Sequence, residues 1–393
     1  MSERKAQRGL AALSRAIVPM AALLAFPPAH ASRLPPTPEI QRGGAQPARF
    51  RAVRVDWQRS LTERAILEYR PREFAGPAID GVSGDVVVGN RRGLVQLVDA
   101  RGRQIWENDL GSGPVGTPEL TEEFVFVGDV DGKFHCFDRF DGATLWSTNL
   151  GGQALARSAS REDAVFVGTD HDAVHALDPA TGDTLWVYRR STPATLSIRG
   201  GTAVTLVEDR LFAGFSDGAL VALDPADGRL LWQTPGAGSS LEKFPDSDAA
   251  PIVRDGIVYA TVFNDGVHAY EAATGKLRWR VEAQGAASLA TSGDLLLVGG
   301  AGRAMGIKLS SGAVEWSIDL GKTYVMRPVV AGRMALLAGP QGILLVAADT
   351  GKPLGRFAPG SGFSAPPAAK GSDVYALSDL GYFYKLELLA GTR

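Results

Sequence analysis

Gly214-Phe215-Ser216-Asp217-Gly218 matches the G-x-S-x-G pattern that presents a serine nucleophile, one of the few places where this sequence could do covalent chemistry. That chemistry needs a strand, a sharp turn and then a helix. Here the pentapeptide separates two apolar runs, RLFA and ALVAL, and reads as a hairpin turn. Asp129-Val130-Asp131-Gly132 opens like a calcium loop, but the twelfth position is Phe140, where a bidentate glutamate is required. His135, His175 and His268 could ligate a metal, yet they occupy one position of a repeat in three units, and units set around a ring hold such side chains apart. A single cysteine, Cys136, excludes an intramolecular disulfide and any multi-cysteine metal site, and reads as a packing residue. No catalytic, cofactor-binding or metal-binding residue is assigned.

The element that positions these residues is a repeat of about forty residues. AVFVGTDHDAVHALDPATGDTLW, Ala164 to Trp186, lies over RLFAGFSDGALVALDPADGRLLW, Arg210 to Trp232, without a gap. The same frame ends at Trp106, Trp146, Trp279 and Trp316, a degenerate copy runs from Met334 to Gly355, and a last copy from Asp373 to Leu388 stops before its final strand. Each copy is an apolar run, a hairpin turn, a second run, and a turn such as Asp178-Pro179-Ala180-Thr181-Gly182 leading into the tryptophan strand. Asp131-Gly132, Asp217-Gly218 and Asp265-Gly266 supply tight turns. Runs such as Val86-Val87-Val88 are apolar at every position, as strands covered on both faces should be.

With an inner strand added, as in DAAPIV before Ile257, each unit is a four-stranded antiparallel sheet. The strand missing from the last copy lies at the other end of the chain, in FRAVRVDWQRSL, Phe50 to Leu61, with Trp57 where the tryptophan belongs. Pairing the two removes the open edge. The expected fold is therefore an all-β, eight-bladed propeller of four-stranded blades over residues 50–389, closed by the N-terminal strand. Trp57, Trp106, Trp146, Trp186, Trp232, Trp279 and Trp316 are blade-packing residues in this scheme.

Arg4, Lys5 and Arg8, then the apolar run Ala16 to Phe26, then Ala29-His30-Ala31, read as a signal peptide over 1–31 cleaved before Ser32. The run falls short of the ~20 residues that span a bilayer. Residues 32–49, rich in Pro, Gly and Arg, read as a disordered tether. A formal charge of −2 gives no basic field to draw nucleic acid.

The frame V-x-V-G, turn, A-L-D-x-x-T-G-x-x-x-W resembles the repeat of pyrroloquinoline-quinone (PQQ) dehydrogenases and their non-enzymatic relatives. Among these it is most similar to the BamB family of outer-membrane assembly factors, over about Phe50 to Leu388, and most sharply in LSIRGGTAV, Leu196 to Val204, and SSLEKFPDSDAAP, Ser239 to Pro251. Spacing points to the same stretches: successive repeat tryptophans are 40, 40, 46, 47 and 37 residues apart from Trp106 to Trp316, and the two longest intervals hold the two motifs. Both connections join an outer strand to the next inner strand, so they emerge on one face, around blades three to five.

Leu196 and Ile198 flank Ser197 and share a side of an extended segment, Arg199 adds a planar fork, and Asp246 and Asp248 orient it or meet a basic partner group. The resemblance implies that these five residues contact the periplasmic transport-associated domains of a BamA-like assembly protein. It also implies a periplasmic monomer working within a complex, with no cofactor and no enzymatic activity. The family is usually lipid-anchored through a cysteine at the start of the mature chain, and no cysteine lies near Ser32. Two alternatives stand beside this reading. One is a PQQ-dependent dehydrogenase-like enzyme, and the other a generic periplasmic propeller binding another envelope protein.

Overall fold

A computed structural model describes the backbone of residues 41–42 and, in full, residues 52–61, 71–113, 116–154, 156–190, 202–235 and 249–389. It is an all-β, eight-bladed propeller, with every blade an antiparallel sheet. In the third blade Ala159–Arg161 is the inner strand, Ala164–Thr169 and Ala173–Leu177 are the middle pair, and Thr184–Arg189 is outermost. The first, second, fourth, fifth and seventh blades repeat that order. In the sixth, one run, Leu295–Lys308, supplies both middle strands, so its sheet consists of three strand segments. The reversal falls at Ala301-Gly302, where a turn too short to leave the ladder suffices.

Alternation along the second strands builds the core. Val86 and Val88 face the eighth blade, in a cluster with Trp57, Tyr375 and Phe383. Val87, one residue out of phase, packs with Trp106, Val125 and Phe137 toward the second blade. Phe126 then turns the other way, to Val165 and Val167. The core is accordingly eight separate wedges, one between each pair of neighbouring blades. Both faces of a blade are interior, which is why these runs are apolar at every position.

The tryptophans close seven of the eight wedges from their outer ends. Asp178 Oδ1 accepts the backbone N–H groups of Ala180 and Thr181 at 2.8 and 3.0 Å. This leaves the Pro179 carbonyl free to accept the Trp146 indole N–H at 2.9 Å from the preceding blade. Gly182 closes the turn at φ 75°, and a Cβ there would sit 2.5 Å from the Trp146 ring, so only glycine lets the indole lie on the turn. The same indole-to-carbonyl bond joins Trp106 to Arg139, Trp186 to Pro225, Trp232 to Ala272, Trp279 to Leu309 and Trp316 to Ala348.

Closure is made by Val53–Ser60, which pairs antiparallel with Tyr382–Leu388, from Val53 opposite Leu388 to Ser60 opposite Tyr382. Trp57 meets Phe383 and Tyr375 edge-on at 5.5 and 6.0 Å and rests on Gly102 of the first blade. Its indole nitrogen is the exception, with no acceptor among the described residues. The reason is local: the turn Asp99-Ala100-Arg101-Gly102 is one residue shorter than its counterparts and bonds Gly102 N–H to Asp99, a tighter ring than the Gly182-to-Asp178 bond.

The seventh blade carries Gly355 opposite Leu345, where every other blade places tryptophan. Its neighbour, the eighth, takes its third and outer strands from opposite ends of the chain and so has no turn between them for an indole to dock on. Phe357, Phe363 and Tyr384 fill that wedge instead. Inside the stretch read as a tether, Gln41–Arg42 pairs with Gln58 and Trp57 as a fifth strand of the eighth blade. The remainder of 32–49 and all of 1–31 lie outside the described residues.

Candidate functional site

The five residues expected to bind a partner, Leu196, Ile198, Arg199, Asp246 and Asp248, all lie outside the described residues, within 191–201 and 236–248. The framework that carries both connections is described in full. Each runs from an outer strand to the next inner strand. Antiparallel order puts such connections on the same face as the turns between second and third strands.

The first connection leaves from Arg190. Its guanidinium donates to Asp217 Oδ2 through Nε at 2.8 Å and Nη2 at 2.7 Å, and through Nη1 to Gln233 Oε1 at 2.9 Å. It also lies 6.0 Å from the Phe215 ring. Burial works against the charge, but the hydrogen bond and charge of Asp217 outweigh it, and the Arg190 pKa is held above its ordinary value. Asp172, at φ 51° in the turn of the third blade, accepts the Ser216 N–H at 3.0 Å and its hydroxyl at 2.5 Å. The chain returns at Thr202, whose N–H bonds to the Thr169 carbonyl at 3.2 Å.

The second connection leaves after Thr234, which is fixed to Leu220 through both its N–H and its hydroxyl at 2.9 Å. It returns at Ala249, beside Pro251, whose carbonyl accepts the Thr205 hydroxyl at 2.6 Å. The first connection is thus held at both ends by bonds that cross from the third blade to the fourth, while the second leaves from a bond within the fourth blade and returns beside one that crosses to the fifth. Sequence reasoning did not find the Arg190–Asp217–Gln233 bracket. The outward signal was Arg190 directly after an outer strand, 27 residues before an Asp-Gly turn, which only the blade register converts into contact.

The residues with chemical potential are accounted for by structure. Ser216 is in a hairpin turn between Arg210–Gly214 and Leu220–Leu223, and its hydroxyl is engaged by Asp172, not by a histidine. Asp129 Oδ1 accepts the N–H groups of Asp131 and Lys133, each at 2.9 Å, while its Oδ2 meets His135 Nε2 at 2.9 Å. His135 Nδ1 bonds the Ser147 hydroxyl at 2.7 Å, and His268 Nδ1 the Tyr270 hydroxyl at 2.7 Å. His175 is buried between Val167 and Val187, its Nε2 without a hydrogen-bond partner among the described residues, and burial, with the charge of Arg189, pulls its pKa down to about 4. Among the described residues, no three His, Cys, Asp or Glu side chains converge as metal ligands. Burial, helped by Asp138, pushes the Cys136 thiol up to about 12, so it stays protonated against the Pro179 carbonyl.

The comparisons with known proteins agree with this architecture. The model of the family described as outer membrane protein assembly factor BamB, built on PQQ-like repeats, matches residues 91–317 and 264–352. A BamB of Alkalilimnicola ehrlichii is 31% identical over 159 residues, 39% of this chain and 42% of its own length, so the match spans less than half of that relative. The BamB of Yersinia pestis is 27% identical over 287 residues, 68% of this chain and 72% of its own. The crystal structure of BamB from Moraxella catarrhalis superposes with a TM-score of 0.72 at 21% identity, covering 81% of this chain and 98% of that one. A quinohemoprotein alcohol dehydrogenase from Comamonas testosteroni shares the fold alone, with a TM-score of 0.69 at 14% identity, over 87% of this chain and 77% of that one. With the family model spanning most of an unbroken ring of PQQ-like blades, the chain belongs to the BamB family of outer membrane protein assembly factors.

Proposed function

We propose that this protein is a non-catalytic scaffold of outer-membrane β-barrel assembly that docks the periplasmic domains of a BamA-like protein on the face of blades three to five. In this reading residues 1–31 direct export, the mature chain works in the periplasm as a monomer within a complex, and Leu196, Ile198, Arg199, Asp246 and Asp248 form the contact. The observation that carries it is the bracket at the base of the two longest connections, where Arg190, Asp217 and Gln233 tie the third blade to the fourth. Rigid support beneath a loop lowers the entropy lost when a partner orders it, which favours binding.

The test is co-purification of the Leu196→Asp/Arg199→Glu double variant with the cognate periplasmic domains, its folding checked by circular dichroism. Loss of binding by a folded variant is expected, because apolar and arginine anchors concentrate interface energy, ~2 kcal/mol or more each. Glu122→Lys, at an exposed position in a turn of the opposite face, is the control and should bind as the parent does. A folded double variant that binds like the parent would eliminate this patch. Quinone-dependent alcohol or sugar oxidation by the purified protein, with calcium added, would favour the enzymatic alternative instead.

A further inference from the structure

The ring encloses a cavity of about 550 Å³ whose wall is built from the inner strands and the residues that lead into them. Register identifies one belt around it. Ala159 pairs with Phe166 in the third blade, and the matching inner residues are Ala78, Glu119, Thr205, Ile252, Ala290, Val329 and Ala368 in the others. Two residues before each stand Gly76, Thr117, Arg157, Ala203, Ala250, Ser288, Arg327 and Pro366, in blade order one to eight. Seven of these line the cavity, and Gly76 abuts Thr117 and Pro366.

Six members of the belt are small and uncharged. The other two are arginines, in blades three and seven, which are four blades apart and so face each other across an eight-bladed ring. Among the described residues, neither guanidinium has an ion-pair or hydrogen-bond partner. The one described carboxylate on the wall, Glu119, is engaged by the Ser158 and Ser160 hydroxyls at 2.5 and 2.7 Å. Arg157 and Arg327 both line the cavity and are exposed. Burial lowers the Arg327 pKa and the like charge of Arg157 lowers it further, so the pair is held in mutual repulsion. Two arginines on opposite walls of one cavity, with small uncharged neighbours on the belt, match an anion that takes hydrogen bonds on two sides.

We infer that the central cavity is a binding site for a small free anion carrying phosphate or carboxylate groups, clamped between Arg157 and Arg327. A cavity of this size is in the range that holds small organic ligands. A bound anion would offset the like-charge repulsion between the two guanidinium groups. The inference does not depend on the identity of the protein partner.

Calorimetric titration of the mature chain with inorganic phosphate and, separately, with citrate, at constant ionic strength set with sodium chloride, tests it. Saturable one-to-one binding of at least one of the two is expected, and the two arms tell phosphate from carboxylate preference. Arg157→Gln and Arg327→Gln should each weaken that binding tenfold or more. Without anion, both variants should melt at or above the parent temperature, since each removes a repulsion, whereas arginines with a structural role would lower it. No saturable binding in either arm, undiminished binding by the double variant, or a lower melting point of the anion-free single variants would overturn the inference.

Discussion

Gly182 and Gly151 form a matched pair for measuring what the indole contact is worth. Both have positive φ, 75° and 73°, but a Cβ at Gly151 meets nothing within 4 Å while one at Gly182 lies 2.5 Å from the Trp146 ring. Alanine at either position bears the left-handed backbone penalty of about 1–2 kcal/mol. Alanine at Gly182 must also displace a packed indole and strain its bond to Pro179, an overpacking cost of about 1–3 kcal/mol. For a domain of roughly 340 residues the unfolding entropy is about 0.7 kcal/mol per degree, so 1 kcal/mol shifts the melting point by about 1.4 °C. Gly151→Ala should therefore lower the melting temperature by about 1–3 °C and Gly182→Ala by about 3–7 °C. Differential scanning calorimetry of both variants and the parent at one scan rate decides the matter. Equal shifts would show that docking on the turn contributes nothing beyond glycine's backbone freedom, and the account of the seven tryptophans would fail with it.

Three further outcomes are expected. His175 is neutral in the fold with a pKa near 4, against about 6.5 unfolded, so the unfolded chain binds the extra proton between those values and stability falls as pH drops through that window, by at most about 3 kcal/mol; His175→Leu should flatten the dependence of the urea midpoint between pH 7 and pH 4.5, and an unchanged slope would refute the assignment. Deleting residues 50–61 should cause aggregation or a large drop in melting temperature by leaving Tyr382–Leu388 as an open edge, while deleting 32–49 should do little; equal effects would refute closure. N-terminal sequencing of chain exported by its native host should begin at Ser32, and retention of Met1 would contradict the export reading.

The blades were legible because each turn advertises itself. Asp178 and Gly182 are both required by one turn geometry, and that turn fixes where the next strand and its tryptophan begin. The missing outer strand could be counted for the same reason. Exceptions to the pattern were legible as sequence but not as cause: Gly355 in the seventh blade makes sense only once the eighth is seen to lack a docking turn. The arginine belt was hidden because inner strands are two or three residues long in most blades, too short for periodicity to align them. Only pairing with the second strands brings Arg157 and Arg327 into register. The loop residues were singled out by interval length, and length says where extra chain emerges without saying how its side chains are arranged.

The strand that closes the ring has a consequence for the time course of folding. Arg54 and Glu387 form an ion pair across 333 residues of sequence, whereas the first seven blades are each complete within a few dozen residues. Those blades can assemble as an arc while the chain is still being delivered, but Val53–Ser60, made before all of them, must wait for Tyr382–Leu388, made after them. Contacts of such long sequence separation form slowly because the loop entropy is lost before any contact rewards it. During that wait Val86, Val88 and Val98 at one end of the arc have no covering blade, and the sequence separation of the closing pair makes its formation the step expected to be slowest. The route to the native ring therefore runs through a half-open species with an exposed apolar end, and protection of that species during delivery is a requirement set by topology.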